Sequence, residues 1–156
     1  MIRLARAEDA GAIAALWAPQ IRDTMVTFDR VEKTPSDVAA MILGRPAFYV
    51  AVADTVLGFA TYDQFRGGVG YAHSFEHTII LDPCAQGQGI GRKLMQKVEH
   101  HARTAGGHSM IAGVSSGNDA GRAFHAALGY DQVAVVPEVG RKFDRWWDLI
   151  LMQKFL

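Results

Sequence analysis

The sequence has no surplus of either charge, only one cysteine and no long apolar run. Lys and Arg together number 16, as do Asp and Glu, so no excess of cations is present to neutralise nucleic-acid phosphates. The single cysteine, Cys84, excludes an internal disulfide and a cysteine-rich zinc site, and it suits a reducing compartment. No stretch approaches the roughly 18 apolar residues of a membrane span, and no signal-peptide pattern is present. We expect a cytoplasmic protein with no nucleic-acid partner and no membrane partner.

The composition is that of an ordinary globular protein. The 156 residues are 49% hydrophobic and 21% charged, which predicts one domain over residues 1–156 with a core of its own. Apolar patterns predict strands at 2–6, 48–53, 56–65, 75–81, 110–114, 130–136 and 147–152, and helices at 9–17, 35–43, 88–105 and 118–128. We expect Pro19 to end or kink the first helix. The alternation of strands and helices predicts an α/β fold, with a mixed sheet and helices on both faces.

The stretch before the strongest predicted helix has the character of an anion site. Three glycines occupy alternate positions there: Gly87, Gly89 and Gly91. Glycine near a helix start costs about 1 kcal/mol relative to alanine. No acidic residue lies between Asp82 and Glu99, and Arg92 and Lys93 stand where acids are usual. A phosphate bound by free backbone N–H groups and these cations explains all of this; the alternative is a glycine-rich turn with a solvated basic face. The spacing matches neither a P-loop nor a dinucleotide fingerprint.

Two segments resemble the coenzyme A motifs of the GNAT acetyltransferases. Gln86-x-x-Gly89-x-Gly91 is similar to the family's pyrophosphate-binding Q/R-x-x-G-x-G/A motif. Asn118-Asp119-Ala120 and His125 to Tyr130 are similar to its second segment, N-x-A followed by a helix ending in L-G-F/Y. The resemblance implies the GNAT fold (α+β, mostly antiparallel), acetyl-CoA as co-substrate without a metal, and direct acetyl transfer to a primary amine. The implied coenzyme contacts are Ile79, Ile80, Leu81, Gln86, Gly87, Gln88, Gly89, Ile90, Gly91, Arg92, Lys93, Asn118 and Arg122.

Further matches in chain order are similar to the phosphinothricin N-acetyltransferase-like group. They are Thr24-x-x-Thr27-Phe28-Asp29, Phe65-Arg66, Tyr71, Ser74-Phe75-Glu76 and Val139-Gly140-x-Lys142-Phe143-Asp144-Arg145-Trp146. Members of this group acetylate phosphinothricin, methionine sulfoximine or methionine sulfone, and family habit implies a homodimer. The resemblance spans residues 2–153. Ala72 and Gly68 stand where the group usually has arginines that could hold a carboxylate or phosphinate. The natural amine therefore stays open.

The resemblance implies roles for a few side chains, each with a plainer alternative. Glu76 is expected to be the base, or else a solvated charge on a strand. His125 is expected to protonate the departing thiolate, or else to pack within a helix. Asn118 could bond the pantetheine amide, cap its helix, or do both. On the substrate side, Phe28, Arg66, Tyr71 and Glu76 are the candidates; packing and surface roles are their alternatives.

Two other functions fit the same residues. One is acetylation of a protein or peptide amine, which uses an open groove. The Thr27-Phe28-Asp29 loop and the segment ending at Trp146 favour a small enclosed site instead. The other is a coenzyme A-binding protein without turnover. The anion motif is intact, whereas the residues expected on the substrate side differ from those of the phosphinothricin N-acetyltransferase-like group.

Overall fold

The computed structural model describes all 156 residues. The strands are β1 (Ile2–Leu4), β2 (Ala47–Val52), β3 (Val56–Gln64), β4 (Ser74–Leu81), β5 (Ser109–Ser115), β6 (Asp131–Lys142) and β7 (Arg145–Phe155). The helices are α1 (Ala10–Asp23), α2 (Pro35–Gly44), α3 (Ile90–Thr104) and α4 (Asp119–Ala127). Every predicted strand and helix is present, with boundaries shifted by a few residues. No helix combines the length and the apolar composition that crossing a bilayer requires.

All seven strands join one sheet in the order β1-β2-β3-β4-β5-β7-β6. Each neighbouring pair is antiparallel except β4 and β5, which are parallel and are connected through α3. A parallel pair needs a crossover of this kind, because its connection must return to the same end of the sheet. The prediction of a mixed, mostly antiparallel sheet is confirmed.

The parallel pairing of β4 and β5 is short. It joins Ser74 to Ser109, Phe75 to Met110 and Glu76 to Ile111, and it ends there. Beyond Glu76, β4 stays paired with β3 as far as Leu81, and β5 stays paired with β7 as far as Ser115. The two strands therefore diverge, and a gap opens in the middle of the sheet.

A separate apolar core covers each face of the sheet. On one face α1 and α2 bury Ile13, Trp17, Ile21 and Val38 against Phe48, Val50 and Phe59. On the other face α3 buries Leu94, Met95, Val98 and Ala102 against residues that include Ala60, Tyr62 and Met110. Each large side chain buried in this way stabilises the fold by about 1.5–3 kcal/mol. The prediction of helices on both faces is confirmed.

The first helix continues through its proline. Pro19 lies inside α1, which ends only at Asp23. Of the two expected effects of Pro19, an end of the helix is therefore wrong, and a kink stays a prediction. Proline in a helix interior removes one backbone hydrogen bond and costs about 3 kcal/mol. Trp17 and Ile21 lie on either side of it and are buried against the sheet, and this packing outweighs the local preference.

The last two strands are longer than the sequence patterns predict. β6 reaches Lys142 and β7 begins at Arg145, so only Phe143 and Asp144 separate them, both with positive φ (53° and 56°). Two consecutive residues with positive φ are typical of a tight hairpin turn. β6 lies at the edge of the sheet and most of its side chains are exposed. The apolar pattern of the sequence therefore did not show where this strand ends.

We expect Pro19→Ala to stabilise the protein. Pro19 is exposed, so alanine restores the hydrogen bond to the Ala15 carbonyl without loss of core packing. The free energy of unfolding, measured by urea denaturation, should rise by about 1–3 kcal/mol. Pro46→Ala is the control, because Pro46 lies in the exposed connection before β2, where removing a proline should slightly destabilise. An unchanged or lower value for Pro19→Ala would contradict our explanation.

Candidate active site

A cleft of about 680 Å³ passes through the gap between β4 and β5. One wall is β4 from Glu76 to Leu81, and the facing wall is β5 from Gly113 to Ser115. On the side of α1 the cleft is lined by Trp17, Gln20 and the loop that carries Phe28. On the opposite side it is lined by the loop before α3 and by α4. The cleft therefore opens on both faces of the sheet, and different residues line it on each face.

The glycines before α3 have the conformation that their residue type permits. Gly87 and Gly89 both have φ of 75°, a region that other residues rarely adopt. Gly89 is the N-cap of α3, where no side chain caps the helix and no acid lies in the first turn. Such a helix start directs free N–H groups and the positive end of the dipole outward. This geometry supports the predicted anion site.

The predicted coenzyme contacts divide into two sets. Those that line the cleft are Ile79, Ile80, Leu81, Gln86, Gly87, Gly89, Ile90, Gly91, Arg92 and Asn118. Gln88, Lys93 and Arg122 do not line it. The Gln88 side chain donates to the Cys84 carbonyl at 2.7 Å, and Arg122 is paired with Asp119. Lys93 faces a second cavity of about 600 Å³ beside β2.

Asn118 begins α4 at the edge of the cleft. Its Oδ1 accepts a hydrogen bond from the Gly121 backbone N–H at 2.9 Å, which is the usual contact of a helix N-cap. The predicted capping role is thus present. The amide nitrogen of the same side chain is not used in this contact, so it is free to donate to a ligand in the cleft.

Glu76 lies where the pairing of β4 and β5 ends. Its side chain is on the α1 face of the sheet, opposite Asp63 of β3, and its carboxylate forms no ion pair within the chain. Burial raises the pKa of Glu76, and Arg45 opposes part of that effect. A carboxylate with these properties, inside a cleft, is suited to accepting a proton.

His77 and His125 stack on each other on the opposite face of the sheet. Their ring centroids are 5.0 Å apart, and the ring of Tyr130 meets both of them edge-on. Nδ1 of His125 lies 2.7 Å from the Gly121 carbonyl, so this nitrogen carries the proton and Nε2 has the lone pair. Burial lowers the pKa of both rings, that of His77 to about 3 with a further contribution from His125.

Only part of the predicted substrate side comes together. Phe28 lines the cleft and lies so close to Gly140 that a Cβ there would be 2.5 Å from the phenyl ring. Arg66 and Tyr71 lie outside the cleft in the exposed connection between β3 and β4. There the Arg66 guanidinium stacks over the Tyr71 ring at 5.6 Å. Within a single chain these two residues do not meet Phe28 and Glu76.

Comparison with known proteins identifies the family. The model of the acetyltransferase (GNAT) family matches residues 14–130, which is well over half of the chain. The chain belongs to the GNAT acetyltransferase family. It has the GNAT fold and is an N-acetyltransferase, as the sequence motifs implied, and enzymes of this family take the acetyl group from acetyl-CoA.

Several proteins named as acyltransferases or acetyltransferases are similar over nearly their full length. An L-amino acid N-acyltransferase of Escherichia coli (strain K12) is 35% identical, with 97% of this chain and 91% of the relative aligned. An L-methionine sulfoximine/L-methionine sulfone acetyltransferase of Salmonella typhimurium is 34% identical, with 97% and 92% aligned.

Solved structures confirm the fold and extend the range of named activities. A phosphinothricin acetyltransferase from Sinorhizobium meliloti, solved with acetyl-CoA, superimposes with a TM-score of 0.94 at 26% identity, covering 100% of this chain and 88% of the other. A ribosomal-protein-alanine N-acetyltransferase from Brucella melitensis also has a TM-score of 0.94, at 32% identity, covering 100% and 99%. The acceptor is therefore not the same across these neighbours.

A lysine behind the Phe28 loop of this GNAT enzyme was assigned no role from the sequence. Lys142, in β6, is 2% exposed. Its ammonium donates to the carbonyls of Ile21 at 2.6 Å, Thr27 at 2.8 Å and Asp29 at 2.8 Å. Burial lowers the pKa of Lys142, and Asp29 opposes that shift. The ammonium thus ties the end of α1 and the loop carrying Phe28 to the last hairpin.

The sequence contained one signal for Lys142, its place in the segment from Val139 to Trp146 that resembles the phosphinothricin group. Lysine is almost never fully buried, so burial was not predictable from residue type. The backbone carbonyls that receive its ammonium belong to a segment more than a hundred positions earlier.

We expect Lys142→Met to loosen the amine side of the cleft. Three carbonyls lose their charged donor, which should lower the free energy of unfolding by about 3 kcal/mol. Because Thr27 and Phe28 line the cleft, KM for the amine should rise more than KM for acetyl-CoA. Steady-state kinetics and urea denaturation measure the two effects.

Lys33→Met is the matched control for Lys142→Met. Lys33 belongs to the same connection and pairs with Asp29 at 2.9 Å, but the pair is partly exposed, so its loss should cost less than about 1 kcal/mol. Equal effects of the two variants would show that Lys142 does not hold the loop.

Proposed function

We propose that this chain, acting as one GNAT domain over residues 1–156, acetylates the primary amine of a small amino-acid-like substrate. The observation that carries the proposal is the cleft through the sheet, with Glu76 on one face and the glycine loop on the other. A thioester and an amine that enter from opposite faces meet in the gap, which holds the reacting atoms in place and removes much of the entropic cost of reaction.

The residues at the α3 side fit coenzyme A. The uncapped helix start and Arg92 suit a pyrophosphate, and Arg92 is the only Lys or Arg that lines the cleft. Coenzyme A, when bound, supplies the acetyl thioester. The pantetheine arm fits between β4 and β5, where the backbone groups facing the gap have no sheet partner, and Asn118 can donate its amide N–H to it.

We assign Glu76 the role of base. The amine must be neutral to attack, and Glu76 faces the side from which it enters. Transfer is direct, because the attacking amine needs only a proton acceptor and a held thioester. His125 was expected to protonate the sulfur, but its N–H is already donated to Gly121, so it would have to act as an imidazolium, which burial disfavours.

The amine side of the cleft favours an uncharged, methionine-like side chain. Trp17, Phe28, Ile80 and Leu149 line it, and no cation does. An anionic phosphinate would find no arginine there within one chain, since Arg66 lies outside and positions 68 and 72 hold Gly and Ala. Methionine sulfone and methionine sulfoximine, which the Salmonella typhimurium relative is named for, carry no such charge. We therefore propose a methionine-derived amino acid as the substrate class.

A homodimer in the cytoplasm is the state we propose for the enzyme. β6 is an edge strand, and it exposes the apolar side chains of Val133, Val135, Val136 and Val139. An apolar edge of this kind favours pairing with a second chain. The exposed Trp146 on the neighbouring strand adds an aromatic group of the type enriched at interfaces.

Thiol release from acetyl-CoA with a panel of amines tests the function. The panel contains methionine sulfone, methionine sulfoximine, phosphinothricin, a polyamine and a short peptide with N-terminal alanine. We expect fastest release with the sulfone or sulfoximine, and slower release with phosphinothricin. Release with the peptide alone would support protein acetylation, the activity named for the Brucella melitensis neighbour. Acetyl-CoA binding without release would support a non-catalytic binder.

We expect Glu76→Gln to lower kcat at least tenfold and to leave acetyl-CoA affinity nearly unchanged. The base must be ionised, so the wild-type rate should fall as pH drops through the raised pKa of Glu76, above the usual glutamate range. The variant should lose this dependence on the Glu76 pKa, and its remaining rate should rise only at higher pH, where the amine loses its proton to solvent. Asp54→Asn, which changes an exposed carboxylate in the turn between β2 and β3, is the control and should behave as wild type. Equal turnover in Glu76→Gln would remove the base assignment.

A further inference from the structure

The imidazole of His77 is buried beside the cleft with neither ring nitrogen bonded. His77 is 7% exposed, and Nδ1 and Nε2 have no hydrogen-bond partner in the protein. A neutral imidazole carries one donor and one acceptor. Leaving such a group buried and unpaired is unfavourable. Both nitrogens are shielded from solvent, and His77 is one of the residues that line the cleft, so a ligand seated against β4 at this point can supply the missing partner.

His77 and Glu76 reach the gap from opposite faces of the sheet. They are consecutive in β4, and consecutive strand residues point to opposite sides. Glu76 shares a face with Ile80, which packs on the α1 core, whereas His77 shares a face with Phe75 and Ile79 of the α3 core. Both lie where the pairing with β5 ends. A group held in the gap therefore has the carboxylate on one side and the imidazole on the other.

The side chains around His77 have no spare hydrogen-bond donor, so His77 is the available donor on the α3 face of the sheet. Nε2 of His125 is an acceptor, because Nδ1–H of that ring is donated to Gly121. The Tyr130 hydroxyl donates to Glu99 at 3.0 Å, and Lys154 pairs with the same carboxylate. Tyr62, opposite His77 on β3, is bonded to His101. Among the rings that surround His77, none has a spare N–H or O–H to give.

We propose that the free N–H of His77 donates a hydrogen bond to the sulfur atom that leaves acetyl-CoA, which makes His77 a second catalytic residue. This inference rests on the proposed function. As the C–N bond forms, the amine nitrogen gives its proton to Glu76, and the C–S bond breaks with its electron pair on sulfur. His77 keeps its proton and stabilises the sulfur charge; solvent then protonates the sulfur and takes the proton from Glu76, so one proton moves from nitrogen to sulfur overall.

His77 is suited to this role because it stays neutral. Burial and the adjacent His125 lower its pKa to about 3, so the ring keeps one N–H and one lone pair throughout the working pH range. A fixed donor aimed at the atom where charge develops is the kind of group whose removal costs about 10²- to 10³-fold in kcat in other enzymes.

The test compares two substitutions at this position. His77→Phe keeps a ring of similar shape for stacking on His125 but has no N–H, and His77→Gln keeps an N–H donor. The binding readout is the affinity for coenzyme A relative to desulfo-coenzyme A, in which hydrogen replaces the thiol, measured by calorimetry at a pH where the free thiol is ionised. The kinetic readout is kcat for thiol release. His73→Phe is the control, since His73 is exposed and bonds the Gly106 carbonyl outside the cleft.

We expect the wild type to bind coenzyme A about tenfold more tightly than desulfo-coenzyme A. His77→Phe should abolish that preference and lower kcat by about 10²-fold. His77→Gln should keep part of the preference for the thiol and part of the wild-type kcat. His73→Phe should keep the full preference and the full kcat. If His77→Phe keeps the thiol preference and the wild-type kcat, the proposal is overturned and the acetyltransferase activity stands. If no amine gives thiol release, the proposed function fails separately, and the binding comparison alone decides whether His77 contacts the sulfur.

Discussion

The early end of the pairing between β4 and β5 is the constraint on which the site depends. Phe75 and Met110, the middle of the three pairs that join the strands, are both buried in the core beneath α3. Beyond the last pair, Glu76 and Ile111, each strand bonds only to its outer neighbour, and buried backbone groups left without partners need them from elsewhere. The sheet thus holds open a slot whose walls can bond an extended ligand. Glu76 and His77 stand at its closed end, and the uncapped start of α3 stands beside its open end.

A second interaction holds the amine side of this slot together. The loop that carries Phe28 has little regular structure, and it is fixed by contacts with the last hairpin: the Lys142 ammonium on its carbonyls and Phe28 against Gly140. The indole of Trp147 donates to the Lys142 carbonyl at 2.9 Å, which fixes the backbone that presents the ammonium. A buried cation is tolerable here because three carbonyl dipoles replace its hydration.

The residues predicted for the coenzyme side come together along the cleft more completely than those predicted for the amine side, for physical reasons. The glycine spacing and the absence of acids before α3 are local features, and the structure there depends on local backbone conformation. Lys142 lies within a motif match, yet that match does not show that distant carbonyls receive its ammonium, and the unbonded ring of His77 depends on neighbours that are distant in sequence. Arg66 and Tyr71 matched the family in order along the chain, yet order does not say which way an exposed connection turns. Pro19 was misjudged because packing of Trp17 and Ile21 outweighed its local preference.

The bond from Lys142 to the Ile21 carbonyl spans 121 positions of the chain. The same final hairpin also supplies β7, the neighbour to which β5 bonds along the facing wall of the slot. A chain cut short before β6 would therefore lack both the strand that supports this wall and the ammonium that holds the Phe28 loop. Truncation of the last two strands, although they lie far from the coenzyme loop in sequence, would remove the support of both sides of the slot together.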